Sequence, residues 1–401
     1  MRRIGLIAVL LAAWGLPAAH AQEMPGMDMS HMDMDMAMPM AMTGVLGPYP
    51  MTREASGTSW QPDAAPHAAY HASLDGWELM GHAMLDLVYD SQSGRRGDTQ
   101  WFAEGMLMGA ARRGLGAGDV FNLRLMLSPD PFMGARGYPL RLASGETADG
   151  ATPLIDRQHP HDLVMEMAGS LSHALSSADS VFVYAGYPGE PALGPPAFQH
   201  RASGMDIPEA PVSHHWLDST HITFGVVTAG FVHDDWKLEV SRFTGREPDQ
   251  QRFDFDPARF DSTAARLTWN PDAHWSLQAS WGYLVSPEQL SPTVNETRYT
   301  ASAEYVDGPF AATLAWGHKL ASDAVLLEGE YRFGDWTALL RAEHLSNSEF
   351  FGDADKLSPG LIHDWRVGEH LKLGIGGLFD IDFTEGGRAH GAMLFARLAA
   401  E

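Results

Sequence analysis

From Trp77 to the end of the chain, apolar and polar residues alternate. In WELMGHAMLDLVYD, Trp77, Leu79, Ala83, Leu85, Leu87 and Tyr89 fall on one side, and Glu78, Met80, His82, Met84 and Asp86 on the other. Period two marks a strand lying between two different environments. The pattern returns at Trp236-Leu238-Val240, Trp275-Leu277-Ala279-Trp281-Tyr283, Tyr299-Ala301-Ala303-Tyr305, Val325-Leu327-Tyr331-Phe333 and Leu371-Leu373-Ile375-Phe379-Ile381-Phe383. The opposite faces carry Lys237, Glu239, Gln278, Glu304, Glu328, Glu330, Arg332, Lys372, Asp380 and Asp382.

Aromatic residues sit at the ends of the apolar faces, at Trp236, Trp269, Trp275, Trp316, Tyr331, Phe333 and Trp336. Amphipathic rings favour the headgroup level of a membrane. Connections also alternate in length. Short ones fall at 114–119, 176–179, 233–235, 270–273, 307–309 and 334–335, and longer ones at 129–161, 187–219, 245–261, 284–296 and 345–363. The connection near Ala321 breaks this rhythm. A soluble β-sandwich also alternates, but its outward face would be polar. The pattern predicts an all-β chain, a transmembrane outer-membrane antiparallel β-barrel of about 16 strands with a wet lumen. Closure is required because lipid cannot satisfy an open strand edge.

The first residues read as a secretory leader, residues 1–21. Arg2 and Arg3 precede an apolar run at 4–16 and the small-x-small signal Ala19-His20-Ala21. That run is too short to span a bilayer as a helix. Cysteine is absent, which excludes disulfides and thiolate metal sites. The formal charge of −24 argues against nucleic acid as a partner and suits cations.

Between leader and barrel, residues 22–72 read as a flexible Met/His/Asp-rich tail and linker, leaving 73–401 for the barrel. The tail holds Met24, Met27, Met29, Met32, Met34, Met36, Met38, Met40 and Met42, with His31, Asp28, Asp33 and Asp35 between them. Methionine thioethers are soft ligands that select Cu(I). No helix or strand needs methionine at every second position, and a solvated linker gains nothing from an apolar, oxidisable side chain. Met51, His67 and His71 lie in the remaining linker and extend the ligand supply.

With apolar residues facing lipid, the first strand turns Met80, His82 and Met84 inward. The second turns Glu104, Met106 and Met108 inward, and the third Asn122, Arg124 and Met126. Strands lie about 4.8 Å apart, so these side chains can meet if the register allows. They form either a soft-ligand patch or adaptable filler. Histidines at 159, 161, 200, 214, 215 and 221 fall in two long loops and match no closed zinc motif. The second loop carries Pro188, Pro191, Pro195, Pro196, Pro208 and Pro211. It reads either as a stiff constriction folded into the barrel mouth or as edge protection. Catalytic motifs are missing, and only His233-Asp234 and His363-Asp364 offer pairs for a barrel hydrolase. The chain is expected not to be an enzyme.

The runs Gly189-Glu190-Pro191-Ala192-Leu193-Gly194-Pro195-Pro196, His214-His215-Trp216 and Asp218-Ser219-Thr220-His221 resemble a family of Gram-negative outer-membrane barrel proteins linked to metal resistance. That resemblance implies a barrel and a metal-resistance context, and supplies no established activity. The tail is similar in kind to copper-resistance outer-membrane B-type proteins. The sequence therefore predicts an outer-membrane protein of a Gram-negative bacterium that binds copper as Cu(I), with Ag(I) as the other soft candidate. It would contribute to copper tolerance or transport, with membrane lipid, metal ions and periplasmic copper-binding proteins as partners. A general porin with an incidental tail is the alternative, and an outer-membrane barrel hydrolase the second.

Overall fold

The computed structural model describes residues 42–400 apart from 68, 95, 143–146, 153–160 and 349–351. The predicted ligands from Met24 to Met40, and His159, lie outside the described residues.

Among the described residues seventeen strands follow one another: β1 (Tyr70–Leu74), β2 (Trp77–Gln92), β3 (Thr99–Gly116), β4 (Asp119–Leu127), β5 (Val164–Ala174), β6 (Asp179–Gly186), β7 (Val226–His233), β8 (Trp236–Phe243), β9 (Ser262–Asp272), β10 (Trp275–Leu284), β11 (Glu296–Asp307), β12 (Phe310–Lys319), β13 (Ser322–Phe333), β14 (Trp336–Ser348), β15 (Gly352–Arg366), β16 (Leu371–Thr384) and β17 (Gly387–Ala400). Sixteen of them, β2 to β17, close into an antiparallel barrel. The seam joins β17 to β2 from Gly391↔Gln92 to Ala400↔Ala83, and short β1 continues along the same edge of β2 from Tyr70↔Gly81 to Leu74↔Trp77.

The predicted alternation is the wall's two faces. Leu238, Val240, Leu267, Leu314, Leu327, Leu373 and Ile375 are exposed outward, while Lys237, Glu239, Arg266, Glu328 and Arg341 are buried inward. Around the short-turn rim, Trp236 stacks on Trp269 at 5.0 Å, Trp275 meets Tyr305 at 4.7 Å, and Trp336 and Trp365 flank His363. These rings form one girdle; short turns mark the periplasmic end of such barrels.

The expected long connection at 345–363 is instead mostly strand. β14 runs to Ser348 and β15 begins at Gly352, with Ala354, Lys356, Ser358 and Ile362 turned inward. Pro359 and Gly360 read as breakers. Proline is accommodated because the ladder from β15 to β16 skips from Leu357↔Ile381 to Gly360↔Leu378, so no strand bond is asked of it.

The expectation of a wet lumen is also corrected, and so is that of a linker reaching residue 72. Residues 42–66 fold into the barrel as a plug. Val45, Leu46, Tyr49 and Trp60 pack against Phe182 and Val232 of the inner wall. Trp60 meets Tyr49 edge-on at 4.8 Å, with the Arg53 and Lys237 cations over its ring. The plug has little regular structure, so its carbonyls need donors from the wall. Ser172 Oγ donates to Val45 O at 2.7 Å, Ser180 Oγ to Leu46 O at 2.8 Å and Asn270 Nδ2 to Gln61 O at 2.8 Å. Lys237 reaches Thr58 O and Arg124 reaches Gly57 O.

The proline-rich loop between β6 and β7 enters from the other end, which selects the constriction over edge protection. Arg201 donates to Glu328 at 2.6 Å, to Asp218 at 2.7 Å and to Pro196 O at 2.9 Å. Arg341 bridges Glu328 and Glu209 O. A helical turn, His214–Leu217, lies so close to β12 that a Cβ on Gly317 would collide with Trp216 O. Plug and loop meet where Ala197 N donates to Ser56 Oγ at 2.8 Å. A third segment, before β5, stacks Tyr138 on Phe102 at 4.6 Å and accepts Ala210 N on its hydroxyl. In an open pore the charged wall would be wetted; here Lys237, Arg266, Arg298 and Arg341 are at most 1% exposed.

Candidate functional site

Register decides what the inward methionines can do. Across β2 and β3, His82 stands opposite Met108, Met84 opposite Met106, and Met80 opposite Ala110. Across β3 and β4, Met108 stands opposite Met126. The thioethers therefore form a continuous patch on one side of the inner wall.

The patch divides in two. Met84, Met106, Met126 and Met165 pack with Ile222 into a buried apolar cluster, with Met108 at its margin. Here methionine is adaptable filler, and Met84 belongs to this part. Toward the short-turn end the patch opens on a cavity of about 120 Å³. Six methionines line it (Met42, Met51, Met80, Met106, Met108 and Met205), with four histidines, His67, His71, His82 and His200. Of the predicted ligands among the described residues, Met42, Met80, His82, Met106 and Met108 meet here and Met84 does not.

The remaining lining comes from elements whose approach the local pattern does not encode. Met51 and His67 arrive with the plug and its exit, and His200 and Met205 with the inward loop. Their residue types are the only signal the sequence offers for them. His67 Nε2 lies 3.2 Å from Met80 Sδ. A d10 ion held tetrahedrally by one nitrogen and one sulfur at about 2.0 and 2.3 Å sets those atoms about 3.5 Å apart, so this pair is close to ligating separation.

Burial pushes His67 down to about 4, helped by His71 and His82, and pushes His200 down to about 3, helped by His82 and Arg124. Both rings are neutral at pH 7 and can offer a lone pair to a cation. The cavity's arginines are already engaged: Arg112 pairs with Glu78, and Arg124 with Glu166 at 2.8 Å. Glu54 accepts Val45 N at 2.6 Å and the Tyr49 hydroxyl at 3.1 Å. The lining is rich in thioether and imidazole, a soft donor set.

The two His/Asp pairs lie elsewhere. His233 bonds Asp179 Oδ1 at 2.7 Å in an exposed turn, and His363 sits among the rim tryptophans.

The fold is that of outer-membrane porins. A structure of Salmonella typhi OmpF in complex with daunomycin matches with a TM-score of 0.52 at 9% identity, over 82% of this chain and 100% of that one. OmpT of Vibrio cholerae matches with a TM-score of 0.47 at 8% identity, over 82% and 100%. At such identity the likeness extends to the fold alone. No family model matches the sequence, and no curated protein does.

Proposed function

We propose that this is an outer-membrane protein of a Gram-negative bacterium that binds a soft monovalent ion, Cu(I) with Ag(I) as its analogue, and contributes to copper tolerance or transport across the outer membrane. The observation that carries the reading is the cavity, where six methionines and four histidines come together from wall, plug and loop. Met42, at the end of the methionine-rich run, is in its lining. Thioether sites are individually weak and exchangeable, which suits hand-over, because an ion that moves on must be released. The tail captures periplasmic ion, directly or from a periplasmic copper-binding protein, and the cavity receives it. The chain binds and transfers, and turns over no substrate. The resemblance to metal-resistance barrels agrees with this role.

Periplasmic copper under copper stress tests the reading in cells without the protein, with it, and with it lacking residues 24–42. Copper should rise without the protein, and the tail-less form should not correct the rise. Equal copper in all three would defeat the proposal. Fold likeness to OmpF supports a second reading, a solute channel. That reading requires steady single-channel conductance, whereas a lumen filled by plug and loop should conduct poorly.

A further inference from the structure

A second cluster of imidazoles lies beyond the packed methionines. His161, His214 and His221 are buried, and one ligand-capable atom of each lies within 4.8 Å of the others. His161 comes from the connection before β5, and His214 and His221 from the loop before β7. The rings of His161 and His221 are 5.3 Å apart and those of His214 and His221 are 5.0 Å apart.

Each ring is oriented through Nδ1. His161 Nδ1 bonds Asp130 Oδ2 at 2.7 Å, His214 Nδ1 bonds Asp218 Oδ1 at 2.8 Å, and His221 Nδ1 bonds Asp218 O at 3.0 Å. The orienting groups are themselves fixed. Asp130 accepts the N–H of Gly105, a mid-strand residue at φ +144° whose Cβ would strike Met84 O, so only glycine can turn that N–H inward. Asp218 is held by Arg201. A carboxylate or carbonyl on one ring nitrogen is the arrangement that sets a histidine to ligate through the other, fixing its tautomer and raising its basicity.

We propose that Nε2 of His161, His214 and His221 form a binding site for a late first-row divalent cation, Cu²⁺ or Zn²⁺. Three imidazoles without a thioether make a borderline donor set, unlike the soft cavity. In a tetrahedral site two nitrogens stand about 3.3 Å apart, so the ligating atoms, within 4.8 Å of one another without an ion, draw together when it binds. Asp130 and Asp218, one bond further out, balance the charge. The ion ties the loop before β5 to the loop before β7. The site stands independently of the soft-ion reading, since the two share no ligand.

The test uses the full-length protein in detergent, loaded with Zn²⁺ or Cu²⁺, dialysed and analysed for metal. About one ion per chain is expected in the wild type. It should be lost in His161→Gln combined with His221→Gln, and kept in His215→Gln and in Met80→Leu combined with Met108→Leu. Asp130→Asn should weaken binding about tenfold to a hundredfold. The Cu²⁺ form of the wild type should show coupling to three nitrogens by electron paramagnetic resonance, a reading that needs no variant to fold. No retained ion, no nitrogen coupling, or loss in the methionine variant with retention in the histidine variant would each overturn the site.

Discussion

The lumen has two unlike sides. Where β2, β3 and β4 face the plug, the wall offers thioethers and imidazoles around a cavity. Where β8, β9, β13, β14 and β15 face the plug and loop, it offers buried ion pairs: Arg266 with Glu239 at 3.0 Å, Arg201 and Arg341 on Glu328, and Lys356 with Glu209. Charged pairs with defined geometry fix inserted segments in one place, because moving either partner strands a buried charge. Weakly hydrated, polarisable side chains impose no such register and leave room for a guest. The first side can receive an ion, with Arg124 as its own anchor on the plug at Gly57 O, and the second only holds the filling in.

The largest expected effect breaks the holding side. Glu328→Ala leaves Arg201 and Arg341 buried without their shared carboxylate and should cost about 3–5 kcal/mol. Thermal unfolding should shift down, and conductance in planar bilayers should rise as the loop loosens. Unchanged values for both would show that these pairs do not hold the loop.

Changing the receiving side should have the opposite profile. Leucine at Met80, Met106 and Met108 nearly conserves volume, so stability should fall by about 1.5 kcal/mol or less per substitution, while Ag(I) binding measured by titration drops sharply. Retained Ag(I) affinity would reduce the methionines to packing.

The smallest effect is set by pH. His67 and His200 remain neutral in the folded protein down to about 4 and about 3, whereas an unfolded chain takes up these protons near 6.5. The unfolded state therefore binds more protons below that pH, and stability, full above it, declines as pH falls toward 4. The melting temperature should drop between pH 7 and pH 5, and less so with glutamine at both positions. An equal drop in that variant would assign the acid sensitivity to other groups.

Much of the barrel was legible because its cause is local. A strand between lipid and interior must alternate, so the inward set Met80, His82, Met106, Met108 and Met126 could be read from phase alone. The same logic failed at 345–363, where Pro359 and Gly360 masked a strand whose neighbour tolerates them. The plug was not legible at all. Residues 42–66 carry no period, since their backbone is satisfied by side chains of distant strands and not by their own regular bonding. The cavity was half legible: the wall's share followed from alternation, and the shares of Met51, His67, His200 and Met205 did not.

The barrel, its two faces, its girdle and the soft character of one inner stripe each follow from residue type and a two-residue period. Tertiary structure alone decided that the lumen is filled, that Met84 packs while Met80 lines a cavity, and that three histidines from two loops converge. Those outcomes depend on register and on where irregular segments dock, and both are set by contacts between residues far apart in the chain.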